Sequence, residues 1–213
     1  MNNYIKGWKE KLPDYKFILW NLNNFDIKST IWTQQAFQEK KYAFAADYIR
    51  LYAIYNHGGI YMDMDVEVLK PFSDELLSKD YMLCYEGKNK GIEAGIMGGE
   101  KGAKWLEDCI CHYDNRAFIL PNGKFDTTPL PEVLFNSLNN KYLKTGIIVP
   151  KTYDYFTAKC FENGKIKITE NTYTIHHFKG SWLSKGHKFK IMIIRILGPQ
   201  IMNIIRKWQK RFQ

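Results

Sequence analysis

Long apolar runs, clustered cysteines and acidic residues near the C-terminus are what this 213-residue chain lacks. The stretch 191–197 falls far short of the about 20 apolar residues that span a bilayer, and it contains Arg195. Residues 1–11 are polar and lack the apolar core of a secretory leader. Four cysteines give no disulfide framework: Cys84 and Cys160 are isolated, and Cys109 and Cys111 lie two apart in a segment of helical character. Positions two apart on a helix diverge, so Cys109-x-Cys111-His112 does not read as a metal site. Reduced thiols and a cytoplasmic location are expected. No internal repeat or low-complexity linker divides the chain, and its length suits one α/β core.

All 22 acidic residues precede residue 171, whereas nine of the 31 basic residues follow it. The body is therefore formally neutral, and the whole net charge of +9 belongs to the C-terminal segment. After Gly198-Pro199, a helical projection puts Ile201, Ile204, Ile205, Trp208 and Phe212 on one face. Asn203, Arg206, Lys207, Lys210 and Arg211 largely take the rest. Two readings fit this basic amphipathic tail: peripheral binding to an anionic membrane surface, or a terminal helix packed on the domain with a solvated basic face. No nucleic-acid partner is expected, because positive charge alone supplies no groove-reading element. The expected division is a catalytic domain over residues 1–186 and a tail over 187–213.

Against this background the run Tyr61-Met62-Asp63-Met64-Asp65-Val66 stands out. Read as one strand, it sends Ile60, Met62, Met64 and Val66 to one face and Tyr61, Asp63, Asp65 and Glu67 to the other. Paired carboxylates need compensation, and their hard oxygens suit a divalent cation that also grips phosphate oxygens. The preceding segment, Tyr42 to His57, has helical spacing and stops at Gly58-Gly59. Asp47 and Arg50 share one face of that helix, and the glycine turn leads directly into the Asp-x-Asp segment. The small Ala45-Ala46 pair suggests close packing there.

The remaining pattern alternates helices and strands. Helices are expected around residues 4–11, 33–38, 101–112 and 129–138, the last with a proline start. Residues 16–20 read as extended, and 81–85, 147–149 and 165–169 as strands. The glycine-rich stretch 87–102 lacks the Lys-Ser/Thr end of a P-loop. Near the end, Tyr173-Thr174-Ile175 leads into His176-His177, a pair that can also simply finish a strand, one buried and one exposed.

Ala46-Asp47-x-x-Arg50 followed by Gly58-Gly59-Ile60-Tyr61-x-Asp63-x-Asp65-Val66 resembles the signature of glycosyltransferase family 32. Ile175-His176-His177-Phe178-Lys179-Gly180-Ser181-Trp182 resembles its closing motif, a His followed by Ser-Trp. The likeness extends over about residues 5 to 185. It implies a GT-A-type, Rossmann-like nucleotide-sugar fold. It also implies metal-dependent, retaining transfer of a hexose from a nucleotide-sugar donor to a glycan or lipid-linked acceptor, as in capsular or surface polysaccharide synthesis. Asp65 is implied as a direct ligand of Mn²⁺ or Mg²⁺, with Asp63 on the ribose, the sugar or a metal-bound water. His176 would help complete the metal shell, His177 being its neighbouring alternative. Asp47, Arg50 and Tyr61 would bind the donor, and Ser181 and Trp182 would donate hydrogen bonds to the departing phosphate. The family's opening strand, of the type Ile-Pro-Lys-x-Ile-His-x-x-Trp, has no counterpart before Tyr4, so an N-terminally truncated version of the fold is expected.

Two other classes fit part of the pattern. Asp63-x-Asp65 matches the opening of a dehalogenase-type phosphatase, but Asp74-Glu75 and Glu107-Asp108, the later acidic pairs, do not follow the apolar strand that such an enzyme needs. The other is a non-catalytic donor- or membrane-binding remnant of a transferase.

Overall fold

The computed structural model describes residues 3–87, 91–158 and 166–178. Cys160, Ser181, Trp182 and the expected tail lie outside the described residues.

Helix α1 (Asn3–Lys11) buries Trp8, whose indole Nε1 donates to the carbonyl of Val66 at 2.7 Å. Helix α2 (Ile31–Gln38) starts at Thr30, whose hydroxyl accepts from the Thr33 amide and satisfies one of the otherwise orphaned first-turn donors. Helix α3 (Tyr42–His57) buries Ala45, Leu51, Ala53 and Ile54 together with Asp47 and Arg50. It ends as the sequence predicts: Gly58 takes φ 70° and returns its N–H to Ile54 O. That left-handed geometry favours glycine, and a side chain there would also meet the Lys101 amide at 3.0 Å.

Strand β1 (Gly59–Met62) then pairs antiparallel with β4 (Ile96–Gly99), from Gly59 opposite Gly99 to Met62 opposite Ile96. Strand β3 (Tyr81–Met82) pairs on the other edge of β4, giving the order β1-β4-β3. A second, two-stranded sheet joins β2 (Val66–Val68) to β5 (Thr174–His176), with Val66 opposite His176. Helices α4 (Asp74–Leu77), α5 (Lys104–Ile110) and α6 (Leu130–Leu138) complete the named elements. Two apolar clusters result. The larger joins α2, α3, α5 and α6 around Trp32, Leu51, Trp105 and Leu134, and the smaller joins Trp8 of α1 and Leu12 just after it to Val66, Val68 and Phe156.

The continuous strand expected across Asp63 and Asp65 is two strands. The Asp63 amide still reaches Gly95 O at 2.7 Å, but Val66 N then folds back on Asp63 O at 3.0 Å, a turn that leaves Met64 exposed. Asp is well suited to open such a turn. The chain thereby leaves the β1 sheet and enters the β2 sheet. Residues 147–149 form no strand, nor do 166–169 beyond a single bridge residue at Ile166, and 16–20 stay outside any sheet. Cys109 is buried and Cys111 exposed, the divergence expected two residues apart on a helix.

Candidate metal centre

The turn between the sheets aims both aspartates at the end of β5. His176 Nε2 lies 3.4 Å from Asp65 Oδ1 and 3.8 Å from Asp63 Oδ2. Ligand atoms of Asp63, Asp65 and His176 all fall within 4.8 Å of one another, which among the described residues singles out this trio as able to hold an ion. Two carboxylates and an imidazole form a donor set that a divalent first-row cation accepts.

Asp63 and His176 are held from behind. Tyr61 donates its hydroxyl to Asp63 Oδ1 at 2.6 Å, while Arg50 Nη1 stands 3.6 Å from Asp63 Oδ2. Arg50 also spans the Tyr61 ring at 4.8 Å from its centroid. Its other contacts are Ala94 O at 2.7 Å, Ala46 O at 3.3 Å and Asp47 Oδ1 at 3.2 Å. Asp47 and Arg50 are thus a buried pair one helical turn apart on α3, abutting Asp63 as the glycine turn suggested. Tyr61 and Arg50 are largely engaged with the protein and orient Asp63. Because both Asp63 oxygens have such neighbours, Asp63 is a poor match for the exposed nucleophile of a phosphatase.

Behind His176 is a residue that the sequence reading missed. Glu93, 1% exposed, meets His176 Nδ1 at 2.9 Å through Oε1, the same oxygen that accepts the Gly95 amide at 2.6 Å. A β-carbon at Gly95 would lie 2.3 Å from His176 Cε1, so the backbone there is bare where the imidazole rests. Glu93 interrupts the otherwise apolar and glycine run 91–99, and that lone acid was the available signal. His177 turns elsewhere: its Nε2 is 2.8 Å from Glu67 Oε2, and its ring stacks on Tyr4.

The electrostatics follow from this crowding of carboxyls. Burial pushes the Asp47 carboxyl up to about 7, against the pull of Arg50 and with help from Asp63. Burial alone would favour a neutral Arg50, but Asp63, Tyr61 and Asp47 outweigh it and keep the guanidinium charged. Tyr61 is raised by burial and by Asp63, so its hydroxyl remains a donor. Burial lowers His176, yet hydrogen bonding to Asp65 and Glu93 prevails and pushes it up to about 10. Glu86 is pushed up to about 7 by burial and then by Glu93.

Residues 1–83 match the family described as glycosyltransferase sugar-binding region containing DXD motif. Asp47, Arg50, Tyr61, Asp63 and Asp65 all lie within that match, which agrees with the family 32 resemblance of the motifs. The initiation-specific α-1,6-mannosyltransferase of Candida albicans is 27% identical over 111 residues, 49% of this chain and 29% of that protein. Inositol phosphoceramide mannosyltransferase 3 of Schizosaccharomyces pombe is 28% identical over 110 residues, 50% of this chain and 30% of that protein. The matched stretch therefore spans less than a third of either relative. Among solved structures, the PaToxG glycosyltransferase shows 21% identity and a TM-score of 0.39, covering 62% of this chain and 50% of that one. The mixed α/β architecture and the match to the DXD-containing family together accord with a GT-A-like fold.

Proposed function

We propose that this chain, whose first 83 residues carry a DXD-type sugar-binding region, is a metal-dependent hexosyltransferase taking a nucleotide-sugar donor and a glycan or lipid-linked acceptor. The observation that carries the reading is the convergence of Asp63, Asp65 and His176, with the buried Asp47–Arg50 pair against its edge. Those three residues would hold the cation. An imidazole in the set favours Mn²⁺ over Mg²⁺, which prefers oxygen ligands. When bound, the cation offsets negative charge growing on the leaving nucleoside diphosphate.

The protein groups have separate tasks in this reading. His176 approaches from the end of β5, Asp65 from the turn before β2 and Asp63 from the end of β1. Arg50 and Tyr61 fix Asp63, and Asp47 accepts hydroxyl hydrogens from the donor sugar. Ser181 and Trp182 donate to phosphate oxygens. Retention of configuration follows the family resemblance, with no nucleophile assigned. The names of the two relatives make a mannose donor the first to try.

Asp47→Asn tests the sugar contact. With Mn²⁺ and a panel of GDP- and UDP-sugars, the variant should lose about 10- to 100-fold in transfer, the equivalent of a charged hydrogen bond, while binding the bare nucleoside diphosphates as before. Normal turnover in the variant would reduce the pair to a structural ion pair. The same substitution has a stability signature. Because the folded carboxyl is raised from 3.8 to about 7, its stabilising protonation is complete at acid pH and is lost as pH rises through that window. Asp47→Asn should flatten that decline in a series of denaturant titrations.

If the acceptor is lipid-linked, the basic residues of 187–213 would bring enzyme and acceptor to one anionic surface. No described helix is long and apolar enough to cross a membrane. Co-sedimentation with phosphatidylserine vesicles at low salt should fall several-fold when 187–213 is deleted. Equal sedimentation of both proteins would leave the tail as a packed terminal helix.

A further inference from the structure

We infer that Glu93 is the positioning residue of this centre, holding the His176 ring so that Nε2 faces the cation. The inference rests on the metal-site reading above and extends it to a residue outside the motifs.

The two nitrogens of His176 look in opposite directions. Nδ1 is 2.9 Å from Glu93 Oε1, whereas Nε2 faces Asp65 and Asp63 at 3.4 and 3.8 Å. A carboxylate accepting Nδ1–H selects the tautomer whose Nε2 lone pair is available to a metal, fixes the ring and raises its basicity as a ligand. The carboxylate is itself fixed, since the Gly95 amide donates to the same oxygen at 2.6 Å. Gly95 contributes twice, because a β-carbon there would strike both His176 and Glu93 Oε1, the latter at 2.8 Å.

Packing alone does not account for an acid at this position. Its neighbours Ile92, Ala94, Ile96 and Met97 are buried apolar residues. Glu93 Oε2 is buried without a hydrogen-bond partner, a costly arrangement for a carboxylate. Half of the group is thus unsatisfied while the other half is spent on the imidazole and on the amide beside it. An outer-shell role gives this cost a function.

The test uses the full chain, Glu93→Gln, and Mn²⁺ alone, with free ion followed by electron paramagnetic resonance. The isosteric variant should bind Mn²⁺ about 10- to 100-fold more weakly, with its circular dichroism spectrum retained. Unchanged affinity would overturn the positioning role while leaving the metal site standing. Absence of Mn²⁺ binding by the unsubstituted protein would instead remove the metal reading and this inference together. A second measurement needs no variant: ¹⁵N resonances of the His176 ring with Zn²⁺ as a diamagnetic stand-in should show a protonated Nδ1 and a metal-shifted Nε2. The reverse assignment would overturn the inference even if Glu93→Gln failed to fold.

Discussion

Asp65→Asn should eliminate Mn²⁺-dependent binding of nucleoside diphosphates while leaving a folded protein. Asp65 lies in the turn between β1 and β2, outside both apolar clusters, and its side chain is 16% exposed. Asn keeps its size but surrenders the charge and one anionic ligand. Loss of a direct ligand should exceed the about 10- to 100-fold penalty of outer-shell changes. Calorimetric titration of GDP and UDP, each with and without Mn²⁺, reads the effect directly. Metal-enhanced affinity that survives in the variant would remove Asp65 from the metal shell.

Arg50→Ala should act on stability first. The guanidinium stands between Asp47 and Asp63 and also satisfies the carbonyls of Ala94 and Ala46. Removing it leaves the buried Asp47 carboxyl and the Ala94 carbonyl without the donor they share, a change that costs about 3–5 kcal/mol. For a protein of this size, that corresponds to a fall of roughly 6–20 °C in Tm. Arg50→Lys restores charge without the planar fork and should recover only part of the loss. Thermal and urea unfolding of the three proteins decides it, and an Arg50→Ala protein as stable as the parent would contradict the buried-pair account. Activity lost in Arg50→Ala therefore does not by itself identify a sugar contact, which is why Asp47→Asn is the sharper probe.

What could be read beforehand follows the physics of each signal. Helix α3 and its stop at Gly58 were legible because helical spacing and a left-handed glycine are local properties. Asp47, Arg50, Asp63 and Asp65 were legible because short fixed spacings put paired charges together. The turn at Asp63–Val66 was hidden, since residues 60–67 alternate like a strand and contain neither glycine nor proline at the bend. Glu93 was hidden for another reason: its partner is His176, and no spacing announces a contact between residues so far apart. Pairing of β2 with β5 is equally non-local, so the second sheet could not be drawn from the sequence pattern.

The switch of sheets inside the Asp-x-Asp segment also bears on modularity. The family-matched stretch 1–83 contains both aspartates, yet it holds neither β4, the partner of β1, nor β5, the partner of β2. Each half of the motif is moored to chain that is made later. The matched region is thus a unit of sequence similarity and not of autonomous folding: excised or transplanted alone, it would carry the recognisable letters without the strands that bring them beside His176.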